Sequence, residues 1–280
     1  MSTPFVVSYS SIRSFQTCPR KYYWEYVRRL RPVTVSRAQE FGSAWHLALS
    51  AWFQTGSVEA AVVAFNAAYQ DSAEEALRTQ SLGKRLLQQY ADRYPREGLV
   101  VVGDERWLEV PMGDGVRYVM KIDKIITHQD ETLPWDHKTT GGYQGITAAY
   151  LKQFKPNLQL RGYVYGVREV LGIPATKLLV DITWVGRGQP KSGEPFLRYT
   201  ETVESWELEE FAQMVPVVAG QIQQRGDTFE AFTPNWSACT QYGECPFRRL
   251  CMVAPSIRER EIREGYEPKP PYQEPVDDAV

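Results

Sequence analysis

Apolar residues recur at helical spacing through the first third of the chain and at strand spacing through its middle. Phe41, Ala44, Trp45, Ala48, Leu49 and Trp52 form a stripe that predicts a helix over Phe41–Phe53. Ser8-Tyr9-Ser10-Ser11 is a helix start with hydroxyls placed to cap free N–H groups. A helix is expected from Ser10 to about Val27, with Ile12, Phe15, Tyr22, Tyr23 and Tyr26 as its apolar side and Pro19 breaking or restarting it. Further helices are expected over Val58–Leu77 and Leu82–Tyr94. Beyond Pro95 the period shortens. Leu99–Val102 and Arg106–Pro111 read as strands, with Gly113-Asp114-Gly115 as a turn. Val116, Tyr118, Met120 and Ile122 then alternate onto one face and leave Asp123 on the other. Polar His128-Gln129-Asp130-Glu131 suits a hairpin loop before the strand that ends at Thr140. A helix over Asn157–Leu171, strands at Lys177–Val185 and Phe196–Val203 joined by Gly186–Gly193, and a helix over Trp206–Arg225 capped by Ser205 complete an α/β pattern.

The chain has 280 residues, 43% of them apolar, enough for one large domain or a domain with a helical addition. Its net charge of −2 excludes a general polycation, so nucleic acid would have to be gripped by local patches. One such patch is Arg20, Lys21, Arg28, Arg29, Arg31 and Arg37, interleaved with Tyr22, Tyr23, Trp24 and Tyr26. It reads either as a surface for phosphates and stacked bases or as an amphipathic helix with a solvated basic face. No apolar run approaches membrane-span length and the N-terminus lacks a secretory pattern, so a cytoplasmic protein is expected.

The hairpin carries the chemistry. Asp136 and Lys138 are two apart on one strand and point the same way, and pairing with the preceding strand brings Asp123 near them. Two carboxylates can hold a hard divalent cation, which activates water and neutralises phosphate charge, and a nearby ammonium can stabilise developing negative charge. The plain alternative is two turn residues and a solvated lysine. His46 follows Gly42 by one turn on the flank of an apolar stripe; a histidine so placed is more often a satisfied core residue than a ligand. Glu105 and Glu109 are expected to be solvent-face polarity, and Gly141-Gly142-Tyr143-Gln144-Gly145 a flexible loop beside the site. Gln159 and Tyr163 are four apart and share a helix face.

Cys239, Cys245 and Cys251 lie in one polar loop, and Cys18 stands far upstream. Four thiolates suit tetrahedral zinc or a [4Fe–4S] cluster. The one-plus-three split, with Pro19 and Pro246 following two of the cysteines, leans toward the cluster over four buried thiols. After Pro255 the charged, proline-rich chain is expected to be a disordered tail.

Taken in order, Ser-Tyr-Ser-Ser-Ile to Cys18-Pro19, Gly42 to His46, Ile122-Asp123, Asp136-His137-Lys138, Gln159 to Tyr163 and the three clustered cysteines resemble the RecB-like branch of the PD-(D/E)xK nucleases. Within it, the similarity is to the iron–sulfur exonucleases of phage recombination and CRISPR adaptation. Two departures are Met120, where the family carries a glycine, and Asp136, where many members carry glutamate.

The resemblance implies a restriction-endonuclease-like core, a central mixed sheet flanked by helices. It divides the chain into an N-terminal helical part (1–98), the nuclease core (99–230), a cluster segment (231–255) and the tail (256–280). It implies Mg²⁺ or Mn²⁺ held by His46, Asp123, Asp136 and the backbone carbonyl of His137, with Lys138 activating water and Gln159 and Tyr163 shaping the site against DNA. Cys18, Cys239, Cys245 and Cys251 would hold a [4Fe–4S] cluster, with Arg248 and Arg249 extending its basic surroundings. The implied activity is metal-dependent exonucleolytic hydrolysis of DNA, on single strands or ends, in recombination, repair or CRISPR adaptation, beside a helicase or recombination protein. The competing readings are a catalytically silent iron–sulfur module that binds DNA ends and a zinc-stapled interaction protein.

Overall fold

The computed structural model describes residues 4–270 other than 74, 76, 97, 129, 143, 187, 192 and 242. Gln129 of the expected hairpin loop, Tyr143 of the glycine loop, Arg187 and Ser192 of the connection before the last strand, Tyr242 of the cysteine loop and 271–280 of the expected tail lie outside the described residues. The elements begin with β1 (Phe5–Ser8), α1 (Tyr9–Thr17), α2 (Pro19–Tyr22), a π-helical turn (Tyr23–Val27) and β2 (Leu30–Pro32). Three helices follow, α3 (Arg37–Thr55), α4 (Val58–Ala68) and α5 (Gln80–Arg93). Then come β3 (Leu99–Pro111), β4 (Val116–His128), β5 (Glu131–Thr140), α6 (Ala148–Leu151), α7 (Leu158–Leu171), β6 (Lys177–Trp184) and β7 (Phe196–Thr202). The chain closes with α8 (Ser205–Gln223), α9 (Arg248–Met252), α10 (Pro255–Gly265) and β8 (Tyr266–Pro268). These elements form two compact units, one of residues 1–35, 109–120 and 210–280, the other of 36–108 and 121–209. Cys18 and His46, expected together in one N-terminal helical part, fall in different units.

The second unit is built on a mixed sheet. β4 and β5 form the expected antiparallel hairpin, with Lys124 opposite Trp135 and His128 opposite Glu131; Asp130 in its turn is at φ 62°. β5 runs parallel to β6, and β6 antiparallel to β7. Helix α3 packs Phe41, Trp45, Leu49, Trp52 and Phe53 into a core shared with Phe65, Tyr90, Trp135 and Phe196. It starts a turn earlier than its apolar stripe because the Ser36 hydroxyl accepts from the Gln39 N–H. It stops at Gly56, which takes the left-handed conformation (φ 74°) of a C-terminal cap.

Helix α4 ends at Ala68 rather than Leu77. Glu75 Oε1 takes the Leu77 N–H (2.8 Å), a donor the longer helix would use, and Asp71 Oδ1 accepts from the Gln80 N–H (2.7 Å) at the start of α5. Leu99–Pro111 is one strand rather than two, with Glu105 at φ 50° interrupting its regular alternation.

In the first unit, the Ser8 hydroxyl accepts from the Ser11 N–H and the Ser11 hydroxyl accepts from that of Ser8, a capping box that starts α1. Cys18 ends α1 and Pro19 opens α2, so the proline restarts the helix as expected.

The stretch from 256 does not begin a disordered tail. Pro255 opens α10, Ile262 and Glu261 are buried on it, and β8 pairs antiparallel with β2. Tyr266 stacks on Phe247 at 5.5 Å, so apolar contacts hold a segment whose composition reads as solvated.

Candidate active site

The hairpin, α3 and β3 converge on one cleft of 770 Å³ in the second unit. Its walls include Gly42, His46, Arg78, Glu105, Lys121, Asp123 and Thr139. Gly42 lets the two walls approach closely: a Cβ at that position would stand 3.3 Å from the Thr139 hydroxyl, tighter than an ordinary contact. Asp123 is the centre of the arrangement. Its Oδ1 lies 3.4 Å from His46 Nδ1, and its Oδ2 accepts the backbone N–H of His137 at 2.7 Å. Ligand atoms of His46, Glu105 and Asp123 all lie within 4.8 Å of one another.

Asp136 is fully buried and stands outside that trio. Its Oδ1 accepts from Lys138 Nζ at 2.7 Å, so the two side chains share a face as their spacing requires. Its Oδ2 is buried without a hydrogen-bond partner among the described residues. An orphaned carboxylate oxygen near an imidazole and a second carboxylate fits a divalent cation. The two aspartates titrate apart. Burial would raise Asp123, but the charge and hydrogen bond of His46, with Lys138 and His137 behind them, hold it well below the usual carboxylate range. Burial pushes Asp136 up to about 6; Lys138 opposes the rise and the Asp123 charge adds to it. Burial pulls His46 down, but Asp123 more than offsets this and its net shift is upward.

The fold therefore makes ionisation of Asp136 costlier in the metal-free protein than in the unfolded chain. Its folded-state pKa is above the unfolded one, so its contribution to stability is complete below the ordinary carboxylate range and is lost as pH rises through about 6. Asp136→Asn is expected to raise the unfolding temperature of the metal-free chain by several degrees at pH 7.5, with the gap closing by pH 4.5. Calorimetry in chelator at both pH values checks this, and an equal gap at the two would contradict it.

Behind the site, the strand register builds a buried polar ladder. His137 faces Asp181 across β5 and β6, and Asp181 faces Arg198 across β6 and β7. Arg198 donates to Asp181 Oδ2 at 3.0 Å and to the Tyr90 hydroxyl at 2.9 Å, and the Tyr90 hydroxyl donates to Asp181. His137 Nδ1 is 3.5 Å from Asp181 Oδ2, at the outer edge of hydrogen bonding. Burial would raise Asp181, but His137, Arg198 and Tyr90 outweigh it and hold the carboxyl below the usual range, and burial lowers His137. Asp181→Ala leaves the Arg198 cation buried without its carboxylate. It is expected to cost about 3–5 kcal/mol, read by urea unfolding at neutral pH.

Of the residues singled out in the sequence, His46, Asp123, Asp136 and Lys138 form one electrostatically coupled group. Gln159 donates to the Tyr163 hydroxyl at 2.8 Å on α7. Glu105, expected to be solvent polarity, belongs with His46 and Asp123. Arg78, Lys121 and Tyr150 went unnoticed; Tyr150 is near enough to Asp136 and Lys138 to feel both charges.

The four cysteines are free thiols in the first unit. Cys18 is buried and its sulfur accepts the Asn235 N–H at 3.3 Å; the Cys245 N–H donates to the Cys239 carbonyl at 2.8 Å. Burial raises Cys245 and Cys251, and both feel Cys18 and Cys239, so the four share one neighbourhood. No three lie within 4.8 Å of one another among the described residues, whereas sulfurs bound at 2.3 Å to one tetrahedral zinc would be about 3.8 Å apart. The aromatic residues of the basic patch do not form a stacking platform. Tyr22, Tyr23 and Trp24 are core residues, packed with Phe229 and Phe232. Several basic residues are also engaged: Arg28 with Glu259 (3.1 Å), Arg31 with Glu267 (2.7 Å), Arg248 with Glu244 (2.8 Å) and Arg249 with Glu261.

The sequence profile of the PD-(D/E)XK nuclease superfamily matches residues 6–252. No curated protein matches the chain in sequence. Among solved structures, a presumed exonuclease from Eubacterium rectale is similar at a TM-score of 0.54 and 15% identity, covering 89% of each chain. SSO0001 reaches a TM-score of 0.40 at 12% identity over 91% of this chain and 88% of its own. The alkaline exonuclease of Laribacter hongkongensis reaches 0.32 at 10% identity over 66% of this chain and 92% of its own.

Proposed function

Because the chain belongs to the PD-(D/E)XK nuclease superfamily, we propose that it is a divalent-metal-dependent deoxyribonuclease that digests DNA from an end. The observation that carries this reading is the coupling of Asp123, Asp136, His46 and Lys138, with one Asp136 oxygen fixed by Lys138 and the other without a hydrogen-bond partner among the described residues.

His46, Asp123, Asp136 and the His137 backbone carbonyl would hold Mg²⁺ or Mn²⁺, which when bound makes water more acidic and neutralises phosphate charge. The His137 N–H fixes the Asp123 carboxylate. The Lys138 ammonium, anchored on Asp136, orients the attacking water and stabilises negative charge as it develops on the phosphate. Gln159 and Tyr163, joined by their hydrogen bond, shape the floor against the substrate strand. The product end would be a 5′-phosphate. In the other unit, Cys18, Cys239, Cys245 and Cys251 would hold a structural [4Fe–4S] cluster. The protein would act on single-stranded DNA or DNA ends during recombination, repair or CRISPR adaptation, in the cytoplasm, beside a helicase or recombination protein.

The test is digestion of strands labelled at either end, with Mg²⁺, with Mn²⁺ and with chelator. Divalent-dependent shortening from one end is expected. DNA binding without any degradation would instead favour a catalytically silent end-binding module.

A further inference from the structure

We propose that Glu105 is a further carboxylate ligand of the divalent-ion site and that Lys121 is its built-in competitor. This rests on the metal-dependent reading above. Two strands bring the groups together. β4 supplies Lys121 and Asp123, two apart and hence on one face, and β3 supplies Glu105. All three line the cleft with His46. The donor atoms of His46, Glu105 and Asp123 lie within 4.8 Å of one another. Oxygen and nitrogen donors around one octahedral ion, at about 2.1 Å each, are about 3–4.2 Å apart, so small side-chain adjustments suffice. One imidazole and two carboxylates are the donor chemistry of Mn²⁺ or Mg²⁺ sites.

The neighbouring Asp104 is committed elsewhere, to the Ser50 hydroxyl and the buried Lys124 ammonium. Glu105 faces the cleft instead and pairs with Lys121 Nζ. Both partners are partly exposed, and such a pair is weak. A dication therefore outcompetes the ammonium for the carboxylate, but has to displace it first. A bystander ion pair would act on the dication through space, with modest effects that add in the double variant. A competitor has no effect once its ligand is gone.

The experiment is calorimetric titration of the 280-residue chain with Mn²⁺ alone, without DNA, for the parent, Glu105→Gln, Lys121→Met and the double variant. Glu105→Gln is expected to weaken binding about tenfold or more, at least the loss that outer-shell changes bring. Lys121→Met is expected to tighten it about two- to fivefold, the worth of an exposed ion pair, and the double variant should match Glu105→Gln. Unchanged affinity in Glu105→Gln, or weaker binding in Lys121→Met, overturns the assignment. Should Glu105→Gln fail to fold, Glu105→Asp takes its place: it keeps the charge and shortens the reach, so weaker Mn²⁺ binding supports ligation and unchanged affinity overturns it. Asp123→Ala in the same titration separates the two readings. Binding lost in Asp123→Ala but unchanged in Glu105→Gln removes only this inference; binding unchanged in Asp123→Ala removes the metal site itself.

Discussion

Asp123→Ala and Lys138→Ala are each expected to slow digestion of end-labelled single-stranded DNA by about 10³-fold, within the range reported for removal of single electrostatic or acid–base groups. The two should fail differently. Asp123 joins His46, the His137 backbone and Glu105, so its loss should abolish Mn²⁺ binding as well as turnover. Lys138 touches Asp136 but is not among the donors. Its variant should still bind Mn²⁺ and DNA, and lose rate alone. Single-turnover rates at saturating Mn²⁺, beside Mn²⁺ titrations, separate these outcomes. Parent-like digestion by both variants would place the chemistry elsewhere.

Cys18→Ser and Cys251→Ser form the second large expectation. Cys18 sits where α1 ends and α2 begins, and its sulfur takes the Asn235 N–H. A cluster bound there joins the N-terminal helices to the loop of Cys239, Cys245 and Cys251 within a single unit. Losing one thiolate should strip the visible absorption, lower iron and sulfide content together, and reduce the unfolding temperature by about 10 °C or more, the shift that ~4 kcal/mol brings in a chain of this size. A colourless parent with stoichiometric zinc would contradict the cluster. Variants as stable as the parent would contradict a structural role.

What could be read beforehand was local. Asp136 and Lys138 share a face because strand periodicity is two, and the loop after His128 brings Asp123 back toward them. The Gln159–Tyr163 bond follows from helical spacing, and the Ser8 box follows from hydroxyl chemistry at helix starts. What escaped depends on pairing between distant segments. Asp181 and Arg198 acquire meaning only once β6 lies between β5 and β7. Glu105 reads as surface polarity until its φ of 50° interrupts the alternation of β3 and the residue is found lining the cleft. Arg78 reaches the cleft because α4 stops nine residues before Leu77, where a side-chain acceptor beats the helix for a backbone donor. Tyr22, Tyr23 and Trp24 looked available for stacking bases because their sequence neighbours are basic, yet Phe229 and Phe232 bury them. Composition likewise misjudged the residues after Pro255, where a few apolar contacts outweigh many charges.

The most direct measurement is anomalous scattering from Mn²⁺ in crystals of the protein. A peak bonded to His46 and Asp123 and within coordination distance of Asp136 is the expected result. Mn²⁺ that binds only away from these side chains, in crystals of protein that digests DNA, would contradict it.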